Sequence, residues 1–249
     1  VEEKKNIKIV LQYDGTRYHG WQRQKGAPTI QGILEDSIQR IIGEPVTLIA
    51  SGRTDAGVHA LHQVCHFITG STLHPDSIRR ALNSVIPADI RVRDATYAPL
   101  GFHARYSVRS KTYEYRILNR PEPDLFLRFY AWHVPFSLDL AKMKQCVSLL
   151  RGKHDFSCFK SSGSGNMNPV REMMLVELQV PEQHHLHFVF EADGFLRHMV
   201  RNMVGTAVGV GQGRITVGAF EDIFRSGDRR MAGIKAPPQG LFLTMVKYD

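Results

Sequence analysis

One carboxylate sits in the run Ser51-Gly52-Arg53-Thr54-Asp55-Ala56-Gly57-Val58-His59-Ala60, among two glycines, a guanidinium, a hydroxyl and an imidazole. The preceding VTLIA (46–50) reads as a buried strand, and HQVCHFIT (62–69) as another. Asp55 is therefore expected in a glycine-opened loop at strand ends, where backbone can approach a ligand closely. An aspartate in a Gly-x-x-Asp-x-Gly loop also serves as a turn cap through its side chain, so the loop alone leaves both roles open.

Three other places carry chemistry-bearing side chains. Arg201 lies in HMVRN, on a helix otherwise made of Met199, Val200, Met203, Val204 and Ala207. If that face is buried, the guanidinium requires a carboxylate partner, because an unpaired buried charge is costly; if it is not, Arg201 is a solvated surface residue. Tyr113 alternates with Tyr115 and Ile117 on one strand face. Such a ring can stack on a base and exclude water, and its phenol can move a proton, or it is simply packed core. Arg17, Arg23 and Lys25 share the first long loop with Trp21, and a basic loop with an exposed aromatic suits RNA; a solvated surface loop is the competing reading.

The elements that must position these groups alternate along the chain. KIVLQYD (8–14) is a strand with Ile9, Leu11 and Tyr13 on one face. Thr29 caps a helix with the stripe Ile30, Ile33, Leu34, Ile38, Ile41 and Ile42, ended by Gly43 and Pro45. A second helix spans 75–85, with Ile78, Ala81, Leu82 and Val85 at helical spacing, and IRVRDATYA (90–98) is a strand. The second half offers a strand over 104–118, a shorter one at Trp132, a helix over 138–150 and a flexible SSGSGNMNP loop (161–169). Strands at 171–180 and 187–192, helices at 195–210 and 217–225, and a closing strand at 241–248 complete the pattern. The expectation is an α+β fold of two α/β units sharing a mainly antiparallel mixed sheet, with a boundary near Arg105 that gives domains 1–105 and 106–249.

With 32 basic against 24 acidic residues the chain carries +8, which favours an anionic, polyphosphate partner. Three scattered cysteines, Cys65, Cys146 and Cys158, do not make a disulfide framework and fit a reducing cytoplasm. No apolar run approaches the roughly 18 residues that span a bilayer, and VEEKKNIKIV lacks the hydrophobic core of a signal peptide, so an intracellular protein is expected.

Several motif-like stretches are set aside. His62, Val64 and His66 of HQVCH share a strand face while Cys65 points away, and no second ligand pair accompanies them, so no zinc site is expected. HHLH (184–187) reads as a polar turn entering a strand. GVGQGR (209–214) follows a helix and not a strand, which makes it a helix terminus and not a nucleotide fingerprint. Ser161, Ser162 and Ser164 lack the strand–turn–helix context of a nucleophile elbow.

The Asp55 run resembles the catalytic signature of the tRNA pseudouridine synthases of the TruA type. The resemblance extends to YDGTRYHGWQRQ (13–24), FHARYSVRSKTYEYRI (102–117), GFLRHMVRNMVG (194–205) and QGLFL (239–243), in the family's order. It implies that Asp55 is the catalytic carboxylate, in a cleft between two related domains. It implies that Tyr113 is the ring beside the target uracil, that Arg201 pairs with Asp55, and that Leu241 is an aliphatic wall beside the flipped base. Arg53 and Arg105 become candidates for phosphate contacts. A symmetric homodimer and uridines 38–40 of the tRNA anticodon stem-loop are implied as well. No cofactor or metal is expected, since turning uridine into pseudouridine gains and loses no atoms and needs no redox step. Two alternatives remain: a synthase for other RNA uridines, and a non-catalytic RNA-binding protein. Whether Asp55 attacks C1′ or removes the 2′ proton is open at this stage.

Overall fold

The computed structural model describes residues 4–163 and 168–249; the middle of the SSGSGNMNP loop, Ser164 included, and the first three residues lie outside the described residues. Ile7, Ile9, Leu11 and Tyr13 share the buried face of β1 (Lys5–Tyr13), as the alternation predicts. After a long loop, α1 (Ile30–Ile42) starts at Thr29, whose hydroxyl accepts from the Gly32 N–H, a cap worth about 1 kcal/mol. The helix stops at Gly43, where φ is 79°. Its apolar stripe is narrower than predicted. Ile30, Leu34 and Ile38 are buried, Ile33, Ile41 and Ile42 are half-buried, and Gln31 and Glu35 are buried beside the first group.

Those two polar side chains explain a departure from the predicted strand at 46–50. Gln31 Nε2 donates to the Leu48 carbonyl and the Leu48 N–H donates to Glu35 Oε1, so Leu48 is bonded to a helix and not to a ladder. Only β2 (Ile49–Ala50) remains, paired antiparallel with β3 (His59–Thr69). β3 begins earlier than predicted and its centre, Gln63 to Phe67, is buried on both faces. α2 (Pro75–Val85) buries Ile78 and Leu82, while Val85 at its end is exposed; β4 (Ile90–Ala98) matches its prediction. In this first unit the order is β4-β1-β3, all antiparallel, and the closing strand of the chain lies on the other side of β3.

The second unit opens with β5 (Val108–Leu118), four residues later than predicted because Pro99 to Ser107 form successive turns. β6 (Trp132–His133) runs parallel to its end. Then follow α3 (Leu140–Ser148), β7 (Gly152–Asp155, unanticipated), β8 (Val170–Glu182), β9 (His185–Ala192), α4 (Met199–Gly211), α5 (Val217–Ser226) and β10 (Leu241–Tyr248). The order β5-β9-β8-β7 is antiparallel throughout. α3, α4 and α5 pack together and bury Met143, Val147, Val204, Val208 and Phe220.

The fold is α+β. The division between the units falls at Arg109/Ser110, and residues from Leu243 onward belong to the first unit, where the sequence reading assigned them to the second. A strand's own residues do not say which sheet it joins. Among the described residues no helix is long and apolar enough to cross a membrane.

Candidate active site

Residues 51–58 form no helix, and their order comes from interlocking with the first long loop. The Trp21 N–H donates to the Thr54 carbonyl (3.0 Å) and the Gly57 N–H donates to the Tyr18 carbonyl (3.3 Å). A turn closes on Asp55, whose carbonyl accepts from the Val58 N–H (3.1 Å), with φ of 76° at Gly57. Two glycines of the first loop make the approach close enough. A Cβ on Gly15 would lie 2.0 Å from the Val58 carbonyl oxygen, and one on Gly20, where φ is 83°, 2.5 Å from the Thr54 carbonyl oxygen. Asp55 is half-buried in the middle of this double loop, as its glycine setting led us to expect.

The basic residues of the first loop divide. Trp21 is 1 % exposed, which corrects the expectation of an exposed aromatic. Its ring turns into the core, 6.3 Å from the Tyr13 ring, while its backbone bonds Thr54 and Gln31. A large apolar surface gains more from that burial than from a place among charges. Arg23 is also engaged: Nε donates to Glu35 (2.8 Å), and Nη2 to Asp36 (2.7 Å) and the Gly32 carbonyl (3.1 Å). Arg17 is 83 % exposed and only 3.4 Å from Asp89, and Lys25, Arg53 and Arg105 are exposed. Arg105 lies over the Tyr106 ring at 5.7 Å.

In the second unit, Tyr113, Arg201 and Leu241 are buried, and Tyr115 lies beside the backbone that leads to Leu241 and anchors Arg201. Tyr113 is two residues away on the same face of β5 and meets Phe195 edge-on at 4.9 Å. The Tyr115 hydroxyl donates to the Pro237 carbonyl (2.7 Å), and Arg201 Nε donates to the adjacent Ala236 carbonyl (2.7 Å). The Ala236 N–H returns a bond to the Arg201 carbonyl (3.0 Å). A Cβ on Gly240 would lie 2.8 Å from the Tyr115 ring, so only glycine lets the chain pass into Leu241 there. The apolar spacing of α4 left Arg201 open between burial and solvent, and the residue is buried. Nothing in the local sequence of Ala236–Pro237 marked it as that residue's anchor.

Among the described residues no group of three or more His, Cys, Asp or Glu side chains could hold a metal. α4 ends within GVGQGR, with the Gly213 N–H bonded to the Val210 carbonyl and φ of 71° at Gly213. All three cysteines are buried, and burial pushes the Cys146 thiol up to about 11 and the Cys158 thiol up to about 12. The reactive thiolate is therefore scarce at neutral pH. Native protein treated with iodoacetamide at pH 7.5 is expected to keep its mass and its activity. Rapid single-site alkylation, read by mass spectrometry, would contradict this.

The family model described as tRNA pseudouridine synthase matches residues 9–107 and 146–249. The chain belongs to this family. It is 46 % identical over 244 residues to the tRNA pseudouridine synthase A of Thermoanaerobacter sp., covering 98 % of this chain and 100 % of the relative. It is 43 % identical to the protein of the same name from Acetivibrio thermocellus, with the same coverage. The Geobacillus sp. protein of that name is 42 % identical, covering 98 % of this chain and 99 % of the relative.

Proposed function

We propose that this protein isomerises uridine to pseudouridine in tRNA, at positions 38–40 of the anticodon stem-loop, with Asp55 acting at the ribose. The observation that carries the reading is likeness over nearly the whole length to tRNA pseudouridine synthase A, through both units. The N1–C1′ bond breaks, the uracil turns, C5 joins C1′ and gives up its proton, and N1 takes one up, so the isomerisation balances. Asp55 either attacks C1′ and holds the sugar until the base returns, or takes the 2′ proton and gives it back. Both routes use one ionised carboxylate and a caged base in a site that excludes water. No second catalytic carboxylate is called for, because water must be kept from C1′.

Tyr113 and Leu241 are the groups assigned to cage the base, and Arg201 is the cation assigned to Asp55. Their support is that all three are buried on anchored backbone, so each would act from a fixed position. Arg53, Arg105, Arg17 and Lys25 are exposed and suit phosphate contacts that set register while the pocket selects the base. The same reading includes a homodimer with one tRNA across both subunits, in the cytoplasm.

The test uses purified protein, an unmodified tRNA transcript with uridine at 38, 39 and 40, and no added nucleotide or metal. Pseudouridine is expected at these positions, read by nucleoside chromatography of the digested RNA. Each uridine replaced by cytidine should remove its own share of product. Product that persists with all three replaced would move the activity to other uridines. Tight binding without product would leave an RNA-binding protein.

A further inference from the structure

Gln63 is completely buried on β3 opposite Leu11 of β1. Immediately beyond that pair a bulge shifts the register, so that Tyr13 faces Ala60. The Gln63 amide makes four hydrogen bonds. Oε1 accepts from Ser51 Oγ (2.7 Å) and the Val64 N–H (3.2 Å), and Nε2 donates to the Gly52 carbonyl (2.9 Å) and the Tyr13 hydroxyl (3.4 Å). The Val64 N–H can only donate and the Gly52 carbonyl can only accept, so the amide has one orientation. The Tyr13 oxygen lies 2.8 Å from Thr54 Oγ1. Either hydroxyl can donate in that bond, since the phenol oxygen can accept from Thr54 as well as Nε2 and still carry its own proton. Burial pushes the Tyr13 phenol up to about 12, which keeps that proton in place.

We infer that Gln63 and Tyr13 are positioning residues for Asp55: a buried hydrogen-bond relay that grips Ser51, Gly52 and Thr54 from beneath and sets where the carboxylate stands. The inference rests on the reading of Asp55 as the catalytic group. The geometry favours a positioning role over mere core filling. All donors and acceptors of the amide are satisfied, and three of its four bonds, directly or through Tyr13, end on the four residues leading into Asp55. A methionine would fill the same volume and release all of them.

The experiment compares wild type, Tyr13→Phe, Gln63→Met, the double variant and Asp55→Asn. Each is assayed for tRNA KM and for kcat per tRNA-binding equivalent, well below its unfolding temperature. Normalising to binding-competent protein removes any loss due to unfolded material. Tyr13→Phe is expected to lower kcat about tenfold and Gln63→Met about a hundredfold, with KM within about twofold, because small displacements of a reacting group are costly in rate. The double variant should be no worse than Gln63→Met, since both cut one relay. Unchanged kcat per binding equivalent in both single variants overturns the inference. If Gln63→Met does not fold, Tyr13→Phe, which removes one oxygen, decides alone. An inactive Asp55→Asn beside single variants that are fully active rejects only the relay; an active Asp55→Asn rejects the role of Asp55 itself.

Discussion

Asn at position 55 is expected to lower turnover on the order of 10⁴-fold, the scale seen when a group that forms or breaks bonds is removed. Affinity for tRNA should stay within about twofold of wild type. The replacement keeps shape and hydrogen-bonding reach and removes the charge. Both ribose mechanisms require that charge, for attack at C1′ or for taking the 2′ proton. Binding should survive because phosphate contacts supply most of the affinity for a nucleic acid, and the cations proposed for them, Arg17, Lys25, Arg53 and Arg105, are exposed and left intact. The loop itself should stay ordered, because its backbone bonds to Trp21 and Tyr18 and its close approach to Gly15 and Gly20 do not involve the carboxylate. Single-turnover isomerisation and filter binding on one preparation measure both quantities. Turnover within tenfold of wild type would reject the carboxylate mechanism.

The second large effect lies far along the chain from Asp55. Replacing a helix-interior glycine by alanine ordinarily stabilises by about 1 kcal/mol. At Gly205 the sign should reverse. A Cβ there would lie 1.8 Å from the Ile234 carbonyl oxygen, and that neighbour is backbone, which cannot rotate away. The segment must shift, and it is held by the Gly233 N–H on Thr206 Oγ1 (3.0 Å) and by the pair of bonds between Arg201 and Ala236. Gly205→Ala is expected to cost about 3 kcal/mol, the upper part of the overpacking range, and to lower activity by releasing Arg201 from its anchor. Gly218→Ala is the matched control, since nothing lies within 4 Å of its Cβ. It should be neutral or slightly stabilising. Urea unfolding of the two variants beside wild type checks the sign.

Much of this architecture is legible in the residues. Period-two and helical spacing located β1, β4, β10, α1 and α5 closely, because each has a buried and a more open face, whereas α4, buried almost all round, begins four residues later than predicted. The misreadings share a cause: partners that lie elsewhere in the chain. VTLIA looked like a strand, yet Gln31 and Glu35 take the backbone groups of Leu48. Trp21 looked exposed because basic residues surround it, yet its ring is core. Arg23 looked available for a phosphate, yet Glu35 and Asp36 hold it. Around the site, the glycines were a usable signal for the Asp55 loop. Gln63, Tyr115 and the Ala236–Pro237 carbonyls were not. Their importance lies in partners scattered through the chain, and no local pattern encodes those.

The closing strand has a consequence for synthesis. The unit that holds Asp55 includes residues from Leu243 to the last one described, so 109 residues of it can leave the ribosome long before the remainder exists. Until then β3 has β1 and the short β2 beside it but lacks β10. A nascent chain therefore carries the whole aspartate loop on an unfinished sheet, and that sheet gains β10 only after the second unit has been made. A chain that stops before Leu243 would lack the same strand.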